Sequence, residues 1–200
     1  MENMVRATLI SNAGLLLEYR EVKLLVDAIY HTTDPFSTSP PAVWSAMLAG
    51  EPPFDGVDTL LFTHGHPDHF SPERLMQYLR YRTVRQVVFP VMEPQHWEIL
   101  QPFLEERRIQ WTLLTARMQT ADFQIPGGTV IRPYFTRHID KAFWNMPHGC
   151  YLISFGEKHV LLTADVDYTI ETFEQKSLNA LGSLVDHKTV KFGSGEGPKV

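Results

Sequence analysis

The sequence predicts an α/β protein, and three observations carry that prediction. In the first half, short apolar runs of strand character alternate with longer stretches whose apolar residues recur at helical spacing. The second half turns to closely spaced strand-like pieces joined by turns. With 200 residues, of which 44% are hydrophobic and 20% charged, the chain has enough apolar material for one sizeable core.

Val5 to Ile10, Gly14 to Tyr19 and Lys23 to Asp27 are apolar runs separated by polar turns, which predicts a β-meander. From His31 to Pro53 the chain is rich in Pro, Ser and Thr, so a long loop is expected there, with one helical turn around Val43 to Leu48. Val57 to Thr63 has the near-continuous apolar character of a buried strand. Ser71 offers an N-cap oxygen and Pro72 suits a first turn. Leu75, Tyr78 and Leu79 then recur at helical spacing, predicting a helix to Arg82. Gln86 to Pro90 reads as a strand, and Pro94 to Arg107 as a helix broken at Pro102. Strands are expected at Trp111 to Thr115, Thr129 to Phe135, Tyr151 to Phe155 and Val160 to Thr163, mainly as an antiparallel sheet, with a tight turn at Gly156. A short helix over Thr169 to Lys176 and a Gly-rich tail complete the reading. Residues 1–185 are expected to form a single domain and 186–200 a flexible tail.

Eighteen Lys and Arg face 23 Asp and Glu, a formal charge of -5, so no positive field gathers phosphate backbones and nucleic acid is not expected as a partner. No signal-peptide pattern opens the chain and no apolar run approaches the length of a membrane span, which excludes a membrane role and predicts a cytoplasmic protein. Cys150 is the only cysteine, so an intrachain disulfide is impossible, in keeping with a reducing compartment.

The densest chemistry is His64-Gly-His66-Pro-Asp68-His69, three imidazoles and a carboxylate within six residues, directly after a predicted buried strand and before a predicted helix. Rigid elements on both sides can aim these side chains into one space. Imidazole nitrogen with carboxylate oxygen suits zinc, manganese or iron. His64 and His66, two apart, face the same way, whereas Asp68 and His69 sit where the helix begins. That separation suits two metals, or one metal with a neighbouring acid. Gly65 is expected to permit a tight turn and Pro67 to fix the approach to the helix. Surface histidines before a helix, with Asp68 as a capping acid, are the plainer alternative.

This pattern resembles the signature H-x-H-x-D-H of the metallo-β-lactamase fold superfamily, matched at His64, His66, Asp68 and His69, with a similar lead-in from Val57. The resemblance covers Met4 to about Tyr168. It implies a four-layer αββα sandwich, here with a shortened C-terminal half, because only 35 residues follow Asp165. It implies two bound zinc ions, with manganese or iron as alternatives. His138, at the end of a predicted strand, resembles the family's third ligand of the first metal. His148 competes for that role or lines the substrate mouth. Asp165 resembles the aspartate that bridges the metals, and Asp27 the early strand-end aspartate that supports the metal loop by hydrogen bonds. His187 is the only histidine left for the family's last ligand, in a poorly matching setting. His31, His96 and His159 have no motif support.

The resemblance further implies a metal-dependent hydrolase that attacks with a metal-bound hydroxide, Asp68 orienting the water and passing its proton to the leaving group. A small molecule of ester, lactone or phosphodiester type is the expected substrate. Phe70, Phe143 and Trp144 either line an apolar mouth or pack in the core, and core packing is favoured for each. A metal-binding protein of the same fold without efficient turnover is the alternative. An iron oxidoreductase is a third reading, weakened because the family's diiron branch typically carries Glu where this chain has His66. A missing final strand would leave a sheet edge open to a second copy, giving a homodimer.

Overall fold

A computed structural model describes residues 4–31, 34–90, 92–114, 122–146 and 148–167. The described chain runs β1 (Arg6–Leu9), β2 (Leu15–Tyr19), β3 (Val22–Val26), α1 (Pro41–Ala49), β4 (Thr59–Leu61), α2 (Pro72–Tyr81), β5 (Gln86–Pro90), α3 (Pro94–Glu106), β6 (Gln110–Leu114), β7 (Phe123–Gln124), β8 (Val130–Thr136), β9 (His148–Phe155) and β10 (Lys158–Leu162). The expected helix over 169–176, the tail at 186–200 and the domain limit at 185 lie outside the described residues.

Two sheets pack face to face. The first has the order β1-β2-β3-β4-β5-β6, the second β10-β9-β8-β7. The expected meander forms the antiparallel part of the first sheet, and β3 to β6 run parallel because helices α2 and α3 carry the chain back between strands. The second sheet is antiparallel throughout. The first sheet is covered on both faces, which explains its continuous apolar runs. Leu16, Leu25, Leu60, Val87 and Phe89 face Trp44, Met47, Leu75, Tyr78 and Leu100 of the helical layer. Leu15, Leu17, Val26, Leu61 and Val88 face Ile131, Tyr151, Ile153 and Phe155 of the second sheet. Tyr134, Cys150 and Leu152 form a third apolar group with Leu161. Among the described residues no α-helix follows β6, so the second helical layer of the expected sandwich is not among them.

Three local expectations change. The stretch around Val43 is a nine-residue helix, closed by Gly50 at φ 67, because Trp44 and Met47 bury against the first sheet. Pro102 does not break α3: Leu100 and Leu104 are fully buried, and their packing outweighs the one backbone bond that proline forfeits. β9 begins three residues earlier than expected, pairing His148 with Thr136, so His148 lies in a strand and not in an approach loop.

Candidate metal centre

The His-rich loop leaves the carboxyl end of β4, where it is tied to both neighbours. Phe62 N–H donates to Val88 O at 3.0 Å, and Asp27 N–H donates to Leu61 O at 3.0 Å. The second sheet holds the loop from the other side: Gly149 N–H donates to Thr63 O at 2.7 Å and Tyr151 Oη to Phe62 O at 2.9 Å. A side chain at Gly149 would collide with the Tyr151 hydroxyl and crowd Thr63 O at 3.2 Å, so this approach needs glycine. The loop closes with His69 N–H and Phe70 N–H both donating to His66 O, and α2 starts with Ser71 Oγ accepting from Arg74 N–H at 3.2 Å. Gly65 has open space beside it and no positive φ, so the expected steric need for glycine there is not met.

Asp27, at the end of β3, sits behind this loop and is 2% exposed. Its Oδ1 accepts from Thr63 N–H at 2.8 Å, and its Oδ2 lies 2.6 Å from Thr63 Oγ1 and 3.0 Å from His69 Nδ1. A carboxylate only accepts, so Thr63 gives it the hydroxyl proton and His69 its Nδ1–H. Thr63 Oγ1 can then only accept from His64 Nδ1, 3.0 Å away. Both imidazoles are thereby fixed with hydrogen on Nδ1. Sequence reasoning foresaw Asp27's support but missed Thr63, whose role depends on β3 and β4 being neighbours.

His138 and Asp165 come from the second sheet. The segments after β8 and β10 pair through a bridge between His138 and Val166, with Ile139 N–H donating to Asp165 O at 2.7 Å. The result is two overlapping groups: His64, His66, His138 and Asp165, and Asp68, His69 and Asp165, with donor atoms within 4.8 Å of one another in each. Asp165 Oδ2 lies 3.3 Å from His69 Nε2, 3.6 Å from His138 Nε2 and 3.8 Å from His64 Nε2. All six residues singled out in the sequence therefore converge. His187 lies outside the described residues.

The electrostatics fit a cation site. Burial, and then the neighbouring imidazoles His69, His148, His66 and His138, hold His64 well below the usual histidine range. Burial lowers His66 in the same way, with His138 next. His69 moves oppositely: burial opposes its charge, but Asp165 and Asp27 override that and raise it to about 10. Asp165 is lowered, its burial outweighed chiefly by His69. His66 Nδ1 lies 3.0 Å from His64 Nε2 and donates to it, which leaves His66 Nε2 as a buried lone pair without a partner. Such an atom is costly unless something accepts its electrons. His138 differs, since its Nδ1 accepts from Asp140 N–H at 3.0 Å and the neutral ring carries its hydrogen on an unpartnered Nε2. It ligates only after giving up that bond.

His148 is fully buried with its ring 4.9 Å from His64, and its Nδ1 lies 2.9 Å from Thr136 Oγ1, so it does not line the mouth. Phe70 packs in the core against Phe62 and Phe89, as favoured. Phe143 does not pack in the core: it is 39% exposed with its ring 4.3 Å from His66 at the opening of the site. Trp144 is also exposed, flanked by Arg137 and Lys141.

No protein-family profile and no curated protein matches the chain. Solved structures do. A possible metal-dependent hydrolase from Veillonella parvula aligns with a TM-score of 0.60 and 14% identity over 90% of this chain and 68% of its own. CmlA, a diiron β-hydroxylase from Streptomyces venezuelae, aligns with a TM-score of 0.60 and 19% identity over 93% of this chain and 33% of its own. The metallo-β-lactamase fold protein YhfI from Bacillus subtilis gives a TM-score of 0.48 and 16% identity over 85% and 59%. The chain thus spans about a third to about two thirds of the length of these structures. It has the metallo-β-lactamase fold, with a His/Asp cluster compatible with bound metal.

Proposed function

We propose that the chain is a metal-dependent hydrolase acting on a small ester, lactone or phosphodiester-type substrate. The observation that carries this reading is the pair of donor groups sharing Asp165, with a partnerless buried lone pair on His66 in the first of them. His64, His66, His138 and Asp165 would hold one cation and Asp68, His69 and Asp165 a second. These nitrogen and carboxylate donors suit zinc, with manganese or iron also accommodated. A divalent cation there supplies a Lewis acid and acidifies water toward neutrality.

The chain's own groups supply the rest. Asp68, 8% exposed and lining the cavity, receives the proton of the attacking water and hands it to the leaving group. Asp27 touches no substrate; it is a positioning residue that keeps a hydrogen on Nδ1 of His64, through Thr63, and of His69, so that Nε2 is the atom each ring turns toward a cation. The deep burial of His64 and His69 excludes bulk water from the back of the site.

The test is metal content of protein purified without added metal, followed by hydrolysis of generic ester and phosphodiester probes. Two bound ions with turnover that Asp68→Ala lowers by at least about a thousandfold, without loss of fold, is the expected result. Bound metal with no turnover would leave a metal-binding protein of this fold, and no stoichiometric metal would remove both readings.

A further inference from the structure

The cavity over the centre has a volume of about 380 Å³ and a lining of two chemical kinds. Asp68, His69, His138 and Asp165 supply polar groups. Leu9, Phe36, Ile139 and Phe143, drawn from β1, the loop before α1 and the segment after β8, supply apolar ones. These four are 59%, 36%, 56% and 39% exposed. Eight large apolar side chains are exposed on the described surface, and half of them border this one opening. Scattered apolar residues need no explanation, but a group of this kind at the mouth of a cavity marks a place where apolar material is received.

The charges around the cavity point the same way. Among the described residues no Lys or Arg lines it, whereas Asp27, Asp68, Asp140 and Asp165 do. The nearest basic side chains of the mouth segment, Arg137 and Lys141, lie over the Trp144 ring, 4.6 and 5.6 Å from its centroid. Phosphate recognition relies on forked or ammonium donors beside the non-bridging oxygens, and the described walls offer none.

We infer that the substrate is a neutral carboxylic ester or lactone with an apolar acyl arm, and that Leu9, Phe36, Ile139 and Phe143 receive that arm. This rests on the hydrolase reading above and narrows it, setting phosphodiesters aside. Water adds to the carbonyl carbon, the carbon to leaving-oxygen bond breaks, and the water's proton reaches the departing alkoxide through Asp68, so no further reactant is needed.

The experiment compares p-nitrophenyl acetate, butyrate and hexanoate with bis(p-nitrophenyl) phosphate on the zinc-loaded full chain, each rate divided by its spontaneous rate. Each methylene buried against an apolar wall is worth up to about fourfold in kcat/KM, so acetate to hexanoate is expected to gain at least roughly tenfold. Rate enhancement on the esters should exceed that on the phosphodiester. The double variant Leu9→Glu with Phe36→Ser, both remote from the candidate ligands in sequence, should flatten the dependence on acyl length at unchanged metal content. A flat dependence in the unaltered chain, or a larger enhancement on the phosphodiester, overturns the inference while leaving a hydrolase. If metal binds and nothing is hydrolysed, the hydrolase reading fails. The cavity is then read by saturation-transfer NMR on metal-free protein: preferential contact with n-hexanamide supports an apolar neutral ligand, and preference for n-hexyl phosphate overturns it.

Discussion

Replacing Asp27 by Asn changes one atom and should cost affinity at both groups of donors. Thr63 N–H, 2.8 Å from Oδ1, fixes the amide oxygen of an asparagine at that position. The NH₂ must then stand where Oδ2 is, facing Thr63 Oγ1 and His69 Nδ1. Two donors cannot face each other, so Thr63 turns its hydroxyl hydrogen toward His64 Nδ1, and His69 gives up its hydrogen there. Both rings move their hydrogen to Nε2, and the lone pairs needed for a cation disappear.

A hydrogen-bond partner behind a metal-binding histidine is worth tenfold to a hundredfold in affinity, about 1.4 to 2.7 kcal/mol. Because Asp27 stands behind His64 through Thr63 and behind His69 directly, each donor group should weaken by about that factor. The metal-free fold should also suffer, since the carboxylate faces an imidazole held protonated up to about pH 10. Losing one charge-assisted bond costs about 1.5 to 3 kcal/mol, a fall in Tm of roughly 3 to 12 °C for a chain of this size. Competition against a chromophoric zinc chelator, with circular dichroism to follow unfolding, reads both effects. Affinity within about threefold of the parent at both sites, in a folded variant, would refute the reasoning.

Thr63→Val should weaken only the His64 group, leaving the site of Asp68 and His69 within about threefold in the same chelator titration. His138→Ala should cost less zinc affinity than His64→Ala, by roughly tenfold, because Thr63 already holds the hydrogen of His64 on Nδ1, whereas His138 must move its hydrogen off Nε2 and surrender its bond from Asp140 N–H before it can ligate through that atom. Burial lowers His148 to about 3, so the unfolded chain takes up a proton near pH 6.5 that the folded chain refuses; stability present above pH 6.5 is lost as pH falls toward 3. Metal-free His148→Phe should therefore lose less stability between pH 6 and 4 by up to about 1.4 kcal/mol per pH unit, measured by urea unfolding. Cys150, fully buried with its thiol pushed up to about 12, should resist alkylation at neutral pH until the chain is unfolded, as mass spectrometry would show.

What could be read in the sequence was whatever a short segment specifies by itself. Four of the site residues lie in one loop between a strand and a capped helix, and both remaining ones, His138 and Asp165, follow apolar runs that end in turns. Ser71 and Pro72 announce α2 through local capping chemistry. What depends on chain segments meeting could not be read. Thr63 looks like the last residue of a strand until β3 lies beside β4 and places Asp27 against it. Ile139 is an unremarked residue after a histidine, and its place at the mouth follows from the pairing of His138 with Val166. The early start of β9 was hidden because Pro and Gly around His148 imitate a loop.

The position of the centre follows from strand direction. β3 and β4 are parallel, so their carboxyl ends open on the same edge, and the residues just past those ends, Asp27 and Thr63, become neighbours without any long loop. In the second sheet β8 and β10 flank β9 and run antiparallel to it, so they are parallel to each other and release His138 and Asp165 at one edge. Gly149 N–H and Tyr151 Oη of β9 then tie that edge to the His-rich loop. The candidate ligands thus lie on segments that leave the strands of the two sheets at facing edges, and the two donor groups share Asp165 in front and Asp27 behind. Neither group can be altered at those two carboxylates without disturbing the other, whereas Thr63→Val removes a hydroxyl that meets His64 directly and His69 only through Asp27, which makes it the separating variant.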